Sequence, residues 1–124
     1  MILVDTDILI KVFRGNVLLK KQIDKIHGKF GISVITVFEL YEGANSQRKI
    51  QELNKQLKVY QIFYLNEEIS LRAIQLYKLY KSKKNLYVAD TLIAATAIEN
   101  NLELFTENKK DYDFINELKF YQPK

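Results

Sequence analysis

Four acidic residues stand where an α/β protein could use them together. Asp5 directly follows the apolar run Ile2-Leu3-Val4, and Glu39 lies about two turns into the helical segment after Phe30 to Ile32. Asp90 opens a stretch of small and apolar residues, and Asp111 follows the run Leu102 to Thr106 by a few positions. Carboxylates delivered by separate segments into a confined space cannot all be ionised unless a cation accompanies them, because like charges push some pKa values up. A hard divalent ion resolves the conflict: Mg²⁺ takes oxygen ligands, keeps several waters, and suits a few carboxylates plus a substrate phosphate. With His27 as the one histidine and no cysteine, zinc is a poor match.

Each acid also has an ordinary structural explanation. Asp5 could cap the helix it precedes, and an acid near a helix start, such as Asp90, is favourable by itself. Glu39 and Glu42 are three apart and could share a solvated helix face. Asp111 and Asp113 lie in a polar stretch where acids are common. Whether these acids meet depends on the elements that carry them.

Those elements are legible from periodicity. Ile2 to Val4 reads as a short buried strand, a short helix fills the gap to Gly15-Asn16, and Leu19, Ile23 and Ile26 mark a second helical face ending near Gly28. Phe30 to Ile32 reads as a strand, with Ser33 as the N-cap of a helix that stops about Gly43. Ile50, Leu53 and Leu57 set a further helix, and Tyr60 to Leu65 returns to strand. Asn66 caps a long helix through Ile69, Ala73, Leu76 and Tyr80, which Lys81, Lys83 and Lys84 close favourably for the helix dipole. Val88 to Glu99 is a helix ended by Asn100-Asn101, and two strands follow at Leu102 to Thr106 and Lys119 to Tyr121. Strands separated by helices imply crossover connections, hence an α/β fold with a mostly parallel sheet and helices on both faces. In such sheets functional groups collect beyond the carboxyl ends of the strands, where Asp5 and Asp111 are expected.

Composition is consistent with this. A chain of 124 residues, 48% hydrophobic and 27% charged with the signs interspersed, is expected to fold as one domain over residues 1–124 rather than to be disordered. The apolar start runs straight into Asp5 and Asp7 with no preceding lysine or arginine, so it reads as neither signal peptide nor membrane span. The absence of cysteine fits the cytoplasm. A net charge of +4 is compatible with an anionic partner, without demanding one.

The segments LVDTDILI, ISVITVFELYEGA, VADTLIAATAIENN and LFTENKKDYDFI, in this order, resemble the PIN-domain family and in particular its VapC-type toxins. The resemblance spans essentially the whole chain and is strongest in DTLIAATAIENNLELFTENKKDY. It implies a Rossmann-like sheet of about five parallel strands and an acidic pocket for Mg²⁺ or Mn²⁺. Carried over by position, it assigns Asp5, Glu39, Asp90 and Asp111 as the catalytic and metal-holding acids, with Thr6, Asp7, Thr106 and Asn108 as polar support; Asp7 would be an auxiliary acid, and Thr106 and Asn108 would order the loop or the waters of the ion. Val88 stands where many relatives carry a further acid, and Asp113 competes with Asp111, although Asp111-Tyr112 fits the family's Asp-Phe pair better. The implied function is endoribonuclease action by the toxin of a toxin–antitoxin pair, leaving a 5′-phosphate and a 3′-hydroxyl. A VapB-type antitoxin would cover the groove, received by residues such as Phe13, Phe38 and Tyr41, and a homodimer is implied. A housekeeping PIN endonuclease of RNA processing or decay is the alternative.

Other mechanisms find less support. A cyclising ribonuclease would use a general base and acid, usually histidines, and His27 lies near a helix end remote from the acids. A phosphoacceptor receiver domain would need an aspartate after the third strand, where Tyr64-Leu65-Asn66-Glu67 stands. Lys81, Lys83, Lys84, Lys109 and Lys110 could track a phosphate backbone, although a solvated helix end explains the first three equally well.

Overall fold

The computed structural model describes residues 1–82 and 86–124, so Lys83 and Lys84 lie outside the described residues. The elements run β1 (Ile2–Val4), α1 (Thr6–Phe13), α2 (Val17–Lys25), β2 (Phe30–Ser33), α3 (Val34–Glu42), α4 (Gln47–Leu57), β3 (Gln61–Phe63), α5 (Glu67–Tyr80), α6 (Val88–Glu99), β4 (Glu103–Phe105), a 3-10 turn (Lys109–Asp111) and β5 (Lys119–Phe120). The five strands form one sheet in the order β3-β2-β1-β4-β5, and every pairing is parallel.

Local chemistry sets the helix starts. Ser33 Oγ accepts from Ile35 N at 3.0 Å and Asn66 Oδ1 from Ile69 N at 2.8 Å, as the sequence expects. Ser46 caps α4 in the same way, accepting from Lys49 N at 3.2 Å. Helix α6 ends at Asn101, whose φ of 53° lies in the left-handed region that asparagine tolerates better than most residues.

Alternation along the strands separates two cores. Leu3 and Leu104 face α5 and α6, joining Ile69, Leu76, Ile93 and Ala94. Ile2, Val4, Ile32 and Phe105 face the opposite way, onto Ile8, Leu9, Leu19, Leu40 and Leu53 of α1 to α4. With both faces covered, β1 is buried throughout, which accounts for its uninterrupted apolar run.

The edge strands are shorter than the sequence suggests. Tyr60 to Leu65 contributes only Gln61–Phe63, because β3 pairs on one side alone, with Gly31 to Ser33, and Tyr64 projects into solvent. Gly31 permits that pairing: a Cβ there would sit 2.5 Å from Phe63 Cε2 and 2.9 Å from the Gln61 carbonyl oxygen. Among the described residues no helix is long and apolar enough to cross a membrane.

The sheet order has a direct consequence for position. From β1 the chain builds outward through β2 and β3, then returns to lay β4 against the other side of β1. The reversal opens a crevice beyond the carboxyl ends of β1 and β4. Val4 is in register with Phe105, and Asp5 N donates to Phe105 O at 2.9 Å, so Asp5 and Thr106 enter that crevice side by side.

Candidate active site

Asp5 is both the N-cap of α1 and the deepest acid of the crevice, only 4% exposed. Its Oδ1 accepts from Thr6 N at 2.8 Å and its Oδ2 from Thr106 Oγ1 at 2.8 Å. Capping and site-forming are thus not alternatives here, because one carboxylate does both.

Asp7, two residues on, bridges to the loop after β4. Its Oδ2 accepts from Glu107 N and its Oδ1 from Ile8 N, both at 2.9 Å. Thr106 Oγ1 in turn accepts from Asn108 N at 3.0 Å. Asn108 therefore orders the loop through its backbone, while its side chain is exposed. At the rim, Lys11 Nζ pairs with Glu107 Oε1 at 2.6 Å.

Glu39 reaches the crevice from α3, half-buried, with Thr6 Oγ1 donating to its Oε1 at 2.6 Å. The Thr6 and Thr36 hydroxyls lie 2.9 Å apart, so Thr36, one turn before Glu39 and fully buried, backs this contact. Glu42 is exposed, on the same helix but away from the cluster. His27 is likewise a surface residue.

Asp90 enters from the first turn of α6, half-buried. Its Oδ1 accepts from Tyr112 Oη at 3.2 Å. Asp111 sits exposed at the end of the 3-10 turn, and its charge acts on Asp90; Asp113, just beyond the turn, is exposed as well. The crevice thus gathers Asp5, Asp7, Glu39 and Asp90, with Asp111 at its edge.

The electrostatics follow from burying like charges together. Burial, and then the neighbouring Asp7 carboxylate, push Asp5 up to about 7, against the lowering effect of the hydrogen bonds from Thr106 and Thr6. Asp7 is raised chiefly by burial, which the bonds from Glu107 N and Ile8 N only offset in part. Asp90 is raised by burial first; the Tyr112 bond opposes this, and the carboxylates of Asp111, Glu39 and Asp7 add to it. Burial, with Asp5 and Asp90 adjacent, holds the Tyr112 phenol far above its ordinary value, leaving it a hydrogen-bond donor.

The donor set tests the fit of a metal. Every donor in the cluster is an oxygen, and carboxylates raised by burial and by one another are groups whose ionised form a cation would favour. Among the described residues no three acidic or histidine side chains are gathered tightly enough to hold an ion by themselves. A hydrated divalent ion of the Mg²⁺ kind keeps several waters and needs few protein ligands, and an all-oxygen donor set of this sort suits its chemistry.

Two site residues escape the sequence reading. Thr36 carries a weak signal, a hydroxyl one turn before Glu39 on the same helix face. Tyr112 is marked only as the second member of the Asp111-Tyr112 pair, and nothing in its residue type says that its hydroxyl reaches Asp90.

Beside Glu39 a groove of about 270 Å³ opens between α1, α3 and α4, lined by Ile10, Phe13, Leu40 and Leu53 with Arg14, Lys49 and Glu52 among its polar walls. Phe13 lines this groove. Phe38 is 66% exposed and points elsewhere, and Tyr41 packs beside the α1 to α4 core with its hydroxyl bonded to Asn54.

Comparison with known proteins matches this arrangement to a family. The PIN domain model matches residues 2–116. The chain is 36% identical to ribonuclease VapC1 of Methanocaldococcus jannaschii over 123 residues, covering 97% of this chain and 86% of that protein. It is 32% identical to ribonuclease VapC10 of Mycobacterium tuberculosis over 122 residues, covering 96% and 91%. A solved toxin-antitoxin complex from Klebsiella pneumoniae contains a chain that superposes with a TM-score of 0.83 at 31% identity, over 100% of this chain and 98% of that one. The five-stranded parallel sheet, the acids at its carboxyl edge and these matches together make the chain a member of the PIN domain family.

Proposed function

We propose that this chain is the endoribonuclease toxin of a VapBC-type toxin–antitoxin pair, acting in the cytoplasm on RNA with Mg²⁺ or Mn²⁺. The observation that carries the reading is the convergence of Asp5, Glu39 and Asp90 on one crevice, in a chain similar over nearly its full length to ribonucleases of the VapC type. When bound, the ion supplies Lewis acidity: it lowers the pKa of a water and offsets the charge that develops on the scissile phosphate.

The chain's own residues do the positioning. Asp5 and Asp90, with Asp111 at the edge, would hold the ion. Asp5 is fixed for this by Thr6 N and Thr106 Oγ1, and Asp90 by Tyr112. Glu39, held by Thr6, is placed to orient the attacking water or accept its proton. Asp7 keeps the loop after β4 closed against α1 through Glu107 N, so that Thr106 stays on Asp5. The whole chain works as one domain.

RNA incubated with the purified chain is expected to be cleaved in Mn²⁺ or Mg²⁺ and left intact in EDTA. Undiminished cleavage in excess chelator would overturn the metal mechanism. Expression without an antitoxin should arrest growth, and harmless accumulation of active enzyme would assign the chain to RNA processing instead. The groove beside Glu39, apolar at its base with basic and acidic walls, suits an antitoxin segment carrying apolar anchors and charges of both signs.

The homodimer is assigned to the α5–α6 side. An apolar hollow of about 350 Å³ lies there between Ala73, Ile74, Tyr77, Val88 and Leu92, with Leu71 and Leu79 also exposed on α5. Ile74→Glu is expected to convert a sedimenting dimer to a monomer, and a wild-type chain that sediments as a monomer at micromolar concentration would remove this assignment.

A further inference from the structure

Tyr112 raises a question that packing does not answer. Its ring is 1% exposed and lies in the core against α5 and α6, where phenylalanine would fill the same space without a polar atom to satisfy. The hydroxyl donates to Asp90 Oδ1 at 3.2 Å and also faces the Asp5 carboxylate.

Asp5 and Asp90 are held differently. Asp5 takes one hydrogen bond on each oxygen, from Thr6 N and Thr106 Oγ1. Asp90 takes a single one among the described residues, and Tyr112 supplies it. A carboxylate on the first turn of a helix, half-buried and otherwise unrestrained, rotates among several side-chain orientations. One donor on Oδ1 selects an orientation and leaves Oδ2 free.

The donor itself is well anchored. Tyr112 N donates to Lys109 O at 2.9 Å and Tyr112 O accepts from Ile115 N at 3.0 Å, so the backbone on both sides is fixed. The turn that presents Asp111 therefore also presents Tyr112, and the two act on Asp90 from the same side of the crevice.

We propose that Tyr112 is a positioning residue for the divalent ion: by donating to Asp90 Oδ1, its hydroxyl fixes the Asp90 carboxylate with one oxygen presented to the crevice. This rests on the metal-dependent reading above and adds to it a group outside the carboxylate set. Hydrogen-bond partners that orient metal-holding side chains commonly change metal affinity about 10- to 100-fold when removed.

The test is Tyr112→Phe, which keeps the ring and removes the hydroxyl. Mn²⁺ is titrated without RNA and followed by thermal melting, and cleavage is measured against Mn²⁺ concentration. The expected result is a metal-free melting temperature close to that of wild type, with a Mn²⁺ midpoint raised about tenfold. Cleavage should fall most at limiting Mn²⁺ and recover as the ion is raised. In an Asp90→Asn background the same change should move the Mn²⁺ midpoint no further. An unchanged or lower midpoint in Tyr112→Phe overturns the proposal, as does a full tenfold shift persisting beside Asp90→Asn. A large drop in metal-free melting temperature would mark the hydroxyl as a fold-stabilising group and overturn it too. If wild type itself shows no Mn²⁺ shift, the metal reading fails and this inference with it; if wild type shifts and Tyr112→Phe matches it, only the inference fails.

Discussion

Asp5→Asn and Asp90→Asn are each expected to lower RNA cleavage at fixed Mn²⁺ by at least tenfold, on the order of 1.4 kcal/mol or more of transition-state stabilisation. Both substitutions keep the shape of the side chain and one oxygen acceptor but remove a charge that the ion requires. Glu39→Gln should lose as much, since its amide keeps a contact to Thr6 but cannot accept a proton from water. Asp111→Asn should behave like the others and Asp113→Asn should not, because the Asp111 charge acts on Asp90. In EDTA the effect on stability has the opposite sign. Removing one member of a mutually repelling buried set should leave the metal-free fold as stable or more so. Thermal melting with and without Mn²⁺, paired with cleavage assays, separates the two effects. Normal cleavage by the Asp5 or Asp90 variant, or a loss of stability in EDTA, would reduce Asp5 to a helix cap and Asp90 to a first-turn acid favourable to its helix.

The second large effect is on pH. Asp5 is raised from 3.8 to about 7 in the folded chain, and Asp7 and Asp90 are raised as well. Between pH 4 and 7 the metal-free folded chain thus retains protons that the unfolded chain has released. Stability is fully present below the unfolded pKa and is lost as pH rises through the folded one. From pH 5 to 8 the Asp5 contribution alone amounts to roughly 2–3 kcal/mol, enough to lower the melting temperature of the EDTA-treated chain by several degrees. Asp5→Asn should remove most of that slope. Mn²⁺ competes with those protons, so its stabilisation should be small at pH 5 and large at pH 8. A metal-free melting temperature that is flat from pH 5 to 8 would contradict the buried, mutually repelling arrangement.

The two predictions draw on different levels of organisation. The order of elements is a local property: the caps Ser33 and Asn66, the stop at Asn101, the apolar stripes of α2 to α5 and the all-round apolar character of α6 can each be read from a dozen neighbouring residues. Parallel pairing of β1 to β4 follows, because each pair of successive strands among them is joined through helices; β5 comes after only a 3-10 turn, and its parallel pairing with β4 is not legible in this way. The acids Asp5 and Asp111 were legible for the same reason, as polar residues just beyond apolar runs. The edge strands came out longer in sequence than in structure, since pairing on one side depends on the length of a neighbour that Tyr60 to Leu65 does not encode.

What the sequence could not supply was which groups meet across the crevice. Thr106 reaches Asp5 because β4 lies beside β1 in a register that pairs Val4 with Phe105. Thr36 backs Thr6 because α3 packs over α1, and Asp7 holds the loop after β4 through a backbone amide that no residue type announces. Asp111 and Asp113 are both acids in a polar stretch, and only in the folded chain is Asp111 seen at the end of a 3-10 turn with its charge acting on Asp90. Tyr112 is the clearest case: its residue type permits a surface stack, a core filler or a hydrogen-bond donor. Burial against α5 and α6 with its hydroxyl on Asp90 selects among these, and both conditions come from segments distant in sequence. Residue types and periodicity determine local conformation and the stock of chemical groups, whereas hydrogen bonds and desolvation depend on separations of a few ångströms that exist only once the strands have been ordered β3-β2-β1-β4-β5.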